Sequence, residues 1–416
     1  MGGASVIVIG AGVVGISTAL ALQSRGLSVV VLDRSGVAAE ASAGNAGALA
    51  FADIEPLATP GILRKAPKWL LDPLGPLSLP LGYAPKIAPW MLRFWRASWQ
   101  DRYRSGVAAQ SALMKLSRGA FLSLAQHQGL EDQLRHEGQL QLYEGAAQYR
   151  AALKGWQLRG QHGVDYQLLD SAGAIAEIQP GLDARFTHAG YTPGWINLWD
   201  PKQWVEALAE RFVQGGGRIE TGEVTALAEG GQSVVTADGT TRTCSHLVIC
   251  AGAWSHQLAR MLGDKIPLET ERGYNTTLPA GAFDLKTHVT FPNHGFVVTK
   301  IGEGLRVGGA VELAGLKRAP NYRRSEILLE KAARFLPGLK TTGGTQWMGF
   351  RPSCPDSLPV IGPAPKERHV TYAFGHGHLG LTQSAGTAQL VADLVTHVPP
   401  AIDLTPYRAN RFKTFL

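Results

Sequence analysis

Three glycines, Gly10, Gly12 and Gly15, follow directly on the apolar run Ser5-Val-Ile-Val-Ile and carry the first chemistry legible in the chain. Gly10 lets the chain bend sharply, and Gly12 lets backbone N–H groups approach a pyrophosphate with no Cβ in the way. Gly15 lets the helix that follows, Val13 to about Arg25, pack on the strand with its positive end toward the phosphates. The next apolar strand, Leu27 to Leu32, ends in Asp33, at the spacing where a carboxylate reaches a ribose hydroxyl. Together these features describe a cradle for an ADP moiety. They do not separate a nicotinamide from a flavin dinucleotide.

Further candidate groups lie along the chain. The loop 40–49, Glu-Ala-Ser-Ala-Gly-Asn-Ala-Gly-Ala-Leu, is too small and flexible to be core, which implies close backbone approach to something flat or charged. His376 and His378 sit two apart in a glycine loop with no acidic or cysteine partner nearby, so they are read as backbone props and no metal is expected. Cys244, Cys250 and Cys354 have no metal-site spacing, and their odd number argues against a disulfide framework and for a reducing compartment.

The elements that must position these groups divide into two sets. At 416 residues the chain is long enough for two domains. Helical patterns run over 108–128, 146–162, 201–214, 324–335 and 384–396. Strand patterns run over 139–143, 218–221, 223–229, 247–251 and 370–374, with a hairpin at Asp238-Gly239. From Pro267 to Glu312 short alternating runs predict an antiparallel sheet. The N-terminus lacks the basic region of a signal peptide, and no apolar stretch is long enough to span a bilayer. These features predict a cytoplasmic protein.

The net charge of +7 is concentrated. Residues 61–120 hold ten Lys or Arg against Asp72 and Asp101, together with Trp69, Trp90, Trp95 and Trp99. The stretch Pro73 to Pro85 is uncharged, and its prolines exclude a helix there. A helix starting near Pro89 places Leu92, Trp95 and Trp99 on one face beside Arg93 and Arg96. Segment 61–105 therefore reads in two ways, as a surface for an anionic membrane on the cytoplasmic face of the inner membrane, or as a cover packed on the active site. No base-reading motif accompanies the charge, so nucleic acid is not an expected partner.

Several separated motifs resemble the flavin amine oxidoreductases of the D-amino acid oxidase and glycine oxidase superfamily, most closely bacterial D-amino acid dehydrogenases, over essentially the whole chain. They are Ser42-Ala-Gly-Asn-Ala-Gly47, Val224-Thr-Ala-Leu, Val248-Ile-Cys-Ala-Gly-Ala-Trp-Ser255, Arg272-Gly-Tyr274, Trp347-Met-Gly-Phe-Arg-Pro352 and Phe374-Gly-His-Gly-His-Leu-Gly-Leu-Thr382. The resemblance implies FAD, and non-covalent FAD, because Cys354 stands adjacent to Pro355-Asp356 and not shortly before it as in covalent relatives.

The fold implied is α/β: a Rossmann-like FAD-binding domain, discontinuous in sequence (1–60, 195–265 and 345–416), plus an α+β substrate domain on an antiparallel sheet (61–194 and 266–344). The cofactor-binding residues implied are Gly10, Gly12, Val14, Gly15, Asp33, Arg34, Ser42, Asn45, Ala46, Gly47, Val224, Ala251, Gly252, Trp254, Gly349, Gly377, His378, Leu379, Gly380, Leu381 and Thr382. The catalytic pair implied is Tyr274 and Arg351, which hold a substrate carboxylate, the guanidinium fork matching it bidentately. His294 and Glu312 are placed at the pocket border.

The reaction implied is hydride transfer from the α-carbon of a D-amino acid to flavin N5. The imino acid then hydrolyses to a 2-oxo acid, and the electrons pass to a quinone-type acceptor. D-Proline or D-hydroxyproline dehydrogenation, a glycine or sarcosine oxidase using oxygen, and a non-catalytic flavoprotein scaffold are the alternatives.

Overall fold

The computed structural model describes residues 6–62 and 77–414. The Rossmann-like expectation takes shape as a six-stranded sheet in the order Arg218–Thr221, Val29–Asp33, Val6–Ile9, His246–Ile249, Val370–Phe374, Val360–Pro363. The first five strands run parallel and the last pairs antiparallel. Both faces are covered, which is why these strands read as unbroken apolar runs. Val6 and Val8 point into a core shared with the helices Val13–Ser24, Pro201–Gln214 and Gly380–Val395. Ile7 and Ile9 point the other way, toward the hairpin strand Ser233–Thr236 and the helix Ser255–Met261.

The second layer is a nine-stranded sheet. Its main path runs Thr345–Ser353, Glu269–Leu278, Gly304–Leu313, Phe296–Ile301, His288–Phe291, Gln139–Glu144, Phe186–Thr192, Gln167–Leu169. Along this path pairing is antiparallel except where His288–Phe291 runs parallel to Gln139–Glu144. Period-two alternation sorts the two faces. Leu140, Leu142, Val289, Val298, Leu305 and Val307 pack with the helix Arg323–Phe335. Gln139, Gln141, His288, Thr290, Val297, Arg306 and Gly308 face the interior cavity. Between Arg272 and Tyr274 the register slips against Gly304–Leu313, where Ala310 adopts φ 54°. A β-bulge forms at that point.

Three expectations shift. The strand Thr345–Ser353, assigned with 345–416, is hydrogen-bonded into the larger sheet along its length. The helix Gln100–Gln128, assigned with 61–194, buries Leu113, Phe121 and Ala125 in the core of the parallel sheet. It approaches the last helix so closely that a Cβ on Gly386 would fall 2.4 Å from Ser117 Oγ. Finally, the helix expected near Pro89 spans Ala84–Ala97, because Pro85 occupies its first turn, where a missing N–H costs nothing.

That helix is two-sided. Ile87 and Trp90 are buried, and Trp90 donates its indole N–H to Ser353 O at 3.2 Å. Leu92, Trp95 and Trp99 are exposed, as is Leu81 at 91%. The rest of the basic segment, residues 63–76 with Trp69 and the start of the proline-rich stretch, lies outside the described residues. Among those described, no helix is long and apolar enough to cross a membrane.

Candidate functional site

A cavity of about 650 Å³ lies between the two sheets, bordered by the glycine turn at one side and by Arg351 and Glu271 at another. The turn owes its shape to the three glycines. Gly10 has φ 112°, and a Cβ there would lie 2.4 Å from Cys250 O. A Cβ on Gly15 would lie 1.9 Å from Gly10 O, so Gly15 seats the helix on the turn and does not itself line the cavity. Gly12 caps the helix with no side-chain acceptor, leaving the first-turn amides to a ligand. Val13 N–H is the exception, donating to Ser42 Oγ at 3.0 Å.

Asp33 closes this end. Its carboxylate accepts from Ala11 N at 2.7 Å, Ser35 N at 2.8 Å and Gly36 N at 2.9 Å. A carboxylate has about four acceptor sites, so capacity remains for a hydroxyl. Arg34 stacks on Trp254, 3.7 Å from the ring centroid, and pairs with Glu40 at 2.7 Å.

The loop 42–47 crosses the middle of the cavity. Ser42, Asn45 and Ala46 line it, whereas Gly47 serves the turn, with φ 69° and its N–H donating to Asn45 Oδ1 at 2.8 Å. Two side chains absent from the sequence reading hold this loop. Arg306 donates to Asn45 O, to Ala43 O at 3.5 Å and to Thr277 Oγ1 at 2.9 Å. Asn275 Nδ2 donates to Gly44 O at 2.9 Å. Trp347 completes the arrangement. A Cβ on Gly44 would fall 2.1 Å from its indole, and one on Gly349 would fall 1.9 Å from it.

At the far chain end, Gly377, His378, Leu379, Gly380 and Leu381 line the cavity at the start of the last helix, whose first residue is Gly380. The helix begins four residues earlier than its sequence pattern predicts because the turn 377–379 runs straight into it. Thr382 turns away: its hydroxyl accepts from Ala50 N at 3.0 Å and donates to Ala48 O at 3.3 Å. His376 is buried and paired with Thr387 Oγ1 at 2.9 Å, and burial pushes its imidazole down to about 3. Val224, Ala251 and Gly252 line the cavity on the side of the parallel sheet.

Arg351 stands where the sequence placed it. Its guanidinium lies against Gly273, where a Cβ would sit 2.3 Å from Nη2, and donates to Ala310 O at 3.1 Å. That acceptor belongs to the bulge, so the slip in register supplies the carbonyl that aims the side chain. Directly across the strand pair stands Glu271, which sequence reading missed. Burial raises the Glu271 carboxyl and lowers the Arg351 guanidinium, and each charge partly offsets the shift of the other.

Tyr274 differs from expectation. It borders the cavity, but its hydroxyl donates to Glu312 Oε2 at 2.5 Å and accepts from Asn321 N at 3.1 Å. Glu312 also meets fully buried Arg272 at 3.5 Å. Alternation puts Glu271 and Gly273 on the face of Arg351, and Arg272 and Tyr274 on the other. The expected pairing of Tyr274 with Arg351 on one carboxylate therefore does not form, and Glu312 belongs to this buried network instead of the pocket border. His294 is also off the border, bound to Glu144 at 3.1 Å.

The remaining wall is polar and was not legible in the sequence. Gln139 Nε2 donates to Thr290 Oγ1 at 2.9 Å, and Gln141 Nε2 to Gln139 Oε1 at 3.3 Å. Among the described residues, neighbouring His288 is buried with its Nδ1 unpartnered, and Asn275 Oδ1 is likewise buried without a partner. Burial pushes His288 down to about 3. The cavity thus joins a phosphate-accepting turn, a loop pinned to the larger sheet, a helix start and a cation beside an acid. These residues fit an extended dinucleotide with a small charged ligand beside it.

Known proteins resemble this chain along nearly its whole length. The family model described as DAO, FAD-dependent oxidoreductase, matches residues 5–394. A D-amino-acid oxidase of Bradyrhizobium diazoefficiens is 35% identical over 99% of both chains. A D-amino acid dehydrogenase of Phenylobacterium zucineum is 34% identical over 97% of this chain and 96% of its own. Among solved structures, glycine oxidase from Geobacillus kaustophilus superposes with a TM-score of 0.77 at 23% identity, covering 98% of each chain.

Proposed function

The chain belongs to the DAO family of FAD-dependent oxidoreductases, and on that premise we propose that it oxidises D-amino acids to imino acids, which water converts to 2-oxo acids. FAD is the cofactor and the protein is a flavin-dependent amino acid oxidoreductase. The observation that carries the substrate reading is Arg351, a half-buried guanidinium at the cavity wall whose one hydrogen bond among the described residues goes to Ala310 O. Its remaining donors are free to take a carboxylate bidentately and hold the α-carbon in one orientation.

The same reading assigns the cofactor's holders. The amides at Gly12 and Val14 would hold the pyrophosphate, and Asp33 a ribose. Asn45 and Ala46 would hold the ring system, and Val224 the adenine. The start of the last helix, from Gly377 to Leu381, stabilises negative charge. The flavin, when bound, accepts the hydride from the substrate α-carbon. Binding is non-covalent in this reading, since Cys354 is buried against Gly375 and does not line the cavity. The substrate's ammonium needs only to lose one proton before hydride leaves, so no histidine-carboxylate pair is required.

For the electron acceptor, a quinone reached at an anionic membrane surface is supported by exposed Leu81, Leu92, Trp95 and Trp99 beside Lys86 and Arg93. A second reading, oxygen as acceptor, is favoured by the relative named D-amino-acid oxidase. One experiment tests both. The purified flavoprotein is mixed under nitrogen with D- and L-amino acids, D-proline included, and its visible band is followed. Bleaching by a D-amino acid alone is the expected result. Reoxidation on admitting air selects oxygen, and a band that stays bleached until a quinone is added selects the quinone. Bleaching by no amine refutes the proposal.

A further inference from the structure

Glu271 is the acid of the strand Glu269–Leu278 that lines the cavity, its neighbour on the same face, Glu269, accepting instead from the Tyr83 hydroxyl at 2.9 Å, and it faces Arg351 across a strand pair, residue against residue. It is 5% exposed. A carboxylate so buried ordinarily closes an ion pair with the nearest cation. Here, among the described residues, none closes. Arg351 turns aside, lies on Gly273 and donates to Ala310 O. Arg272, next along the strand, points to the opposite face and is held by Glu312 and by the carbonyls of Gly315, Arg318 and Ala319. Two opposite charges are thus fixed on adjacent strands at one wall of the cavity, near each other yet not bonded.

An α-amino acid presents the complementary pair, a carboxylate and an ammonium on one carbon. We propose that Glu271 binds the ammonium of the substrate whose carboxylate Arg351 takes, and accepts its proton before hydride leaves. The step balances within the site: the N–H bond breaks, the O–H bond forms on Glu271, its charge is neutralised, and the amine is left with a free lone pair. The proton goes on to solvent when product departs. Burial, which raises the Glu271 carboxyl, brings its proton affinity closer to that of the amine. This assignment rests on the reading of the cavity as an amino acid site.

The test separates the two. Glu271→Gln keeps the shape and removes the charge. Binding is read as perturbation of the bound flavin's spectrum, which needs no turnover, with an unreactive substrate-like amino acid under nitrogen at neutral pH, where its amine is still an ammonium, and with its carboxylate-only analogue lacking the amine. The expected result is of opposite sign for the two ligands: the amino acid binds about tenfold or more weakly, and the plain carboxylate binds equally or more tightly, because a repelling charge is gone. Glu271→Asp, which keeps the charge, restores most of the preference for the amino acid. Equal weakening of both ligands, or no change in their ratio, overturns the role of Glu271 while leaving the amino acid reading intact. Wild-type protein that binds neither ligand overturns both.

Discussion

Gly273→Ala isolates the geometry of the substrate clamp from its chemistry. Gly273 sits at the bulge but without positive φ, in a conformation open to alanine. Its new methyl would lie 2.3 Å from Nη2 and 2.4 Å from Cζ of Arg351, where ordinary contact needs 3.4 Å or more. The guanidinium must therefore move by about 1 Å, away from the Ala310 carbonyl that aims it. A misplacement of that size costs on the order of 10²-fold in rate when the displaced group orients the substrate. Removing the side chain outright, in Arg351→Ala, forfeits charge-assisted bonds of about 1.5–3 kcal/mol each, discounted for an open cavity, and sets a floor of at least about tenfold. The assay is kcat/KM from anaerobic bleaching of the flavin by a D-amino acid, with flavin content measured on the same preparations. The expected pattern is a large loss in both variants at unchanged flavin content. Unchanged kinetics in Gly273→Ala with full flavin would refute the reasoning, because the carboxylate would then not depend on where Arg351 lies.

Three further outcomes are expected. Arg306→Met frees the loop 42–47 from its hold at Asn45 O and Ala43 O, and should raise the FAD dissociation constant by about tenfold or more, read from flavin fluorescence on dilution. His288 and His376 are held near 3 by burial, below the ordinary value of 6.5, so the unfolded chain binds protons that the native one does not. Stability then falls as pH falls below 6.5, by ~1.4 kcal/mol per unit for each histidine. Urea unfolding at pH 6.5 and pH 5 should differ by roughly 3 kcal/mol from these two groups, and His376→Asn should remove about half; a flat profile contradicts it. Trp95→Ser combined with Trp99→Ser should lower co-sedimentation with anionic vesicles by about tenfold or more, since ~60 Å² of apolar burial is worth ~1.4 kcal/mol; equal sedimentation of both proteins counts against a membrane role.

What could be read from the sequence was whatever local chemistry dictates. Gly10, Gly12 and Gly15 reveal themselves because a tight turn between strand and helix admits little else, and Asp33 because a strand ends on it. The last helix and the hairpin at Asp238-Gly239 follow from the same kind of signal. What stayed hidden depends on which residues face each other across a sheet. Tyr274 and Arg351 lie in neighbouring strands yet point to opposite faces, and only the register shows it. Glu271, Asn275 and Arg306 look like ordinary polar residues in alternating strands until pairing turns them inward. The bulge at Ala310 is likewise silent, since alanine is not a residue that announces a positive φ. Thr382 ends the motif whose resemblance implies cofactor contact, yet its hydroxyl is taken by the strand Ala48–Leu49 and the residue after it.

The indole of Trp347 lying over both Gly44 and Gly349 has an evolutionary consequence. Neither glycine can acquire a side chain while the tryptophan remains, and a smaller residue at 347 would leave both glycines without their reason to persist. Three positions, one of them some 300 residues from the others, therefore change as a single heritable unit. In an alignment of relatives they should covary, with the indole present only where both glycines are. Lineages that part with one should show all three replaced, and with them a reshaped wall on one side of the cavity.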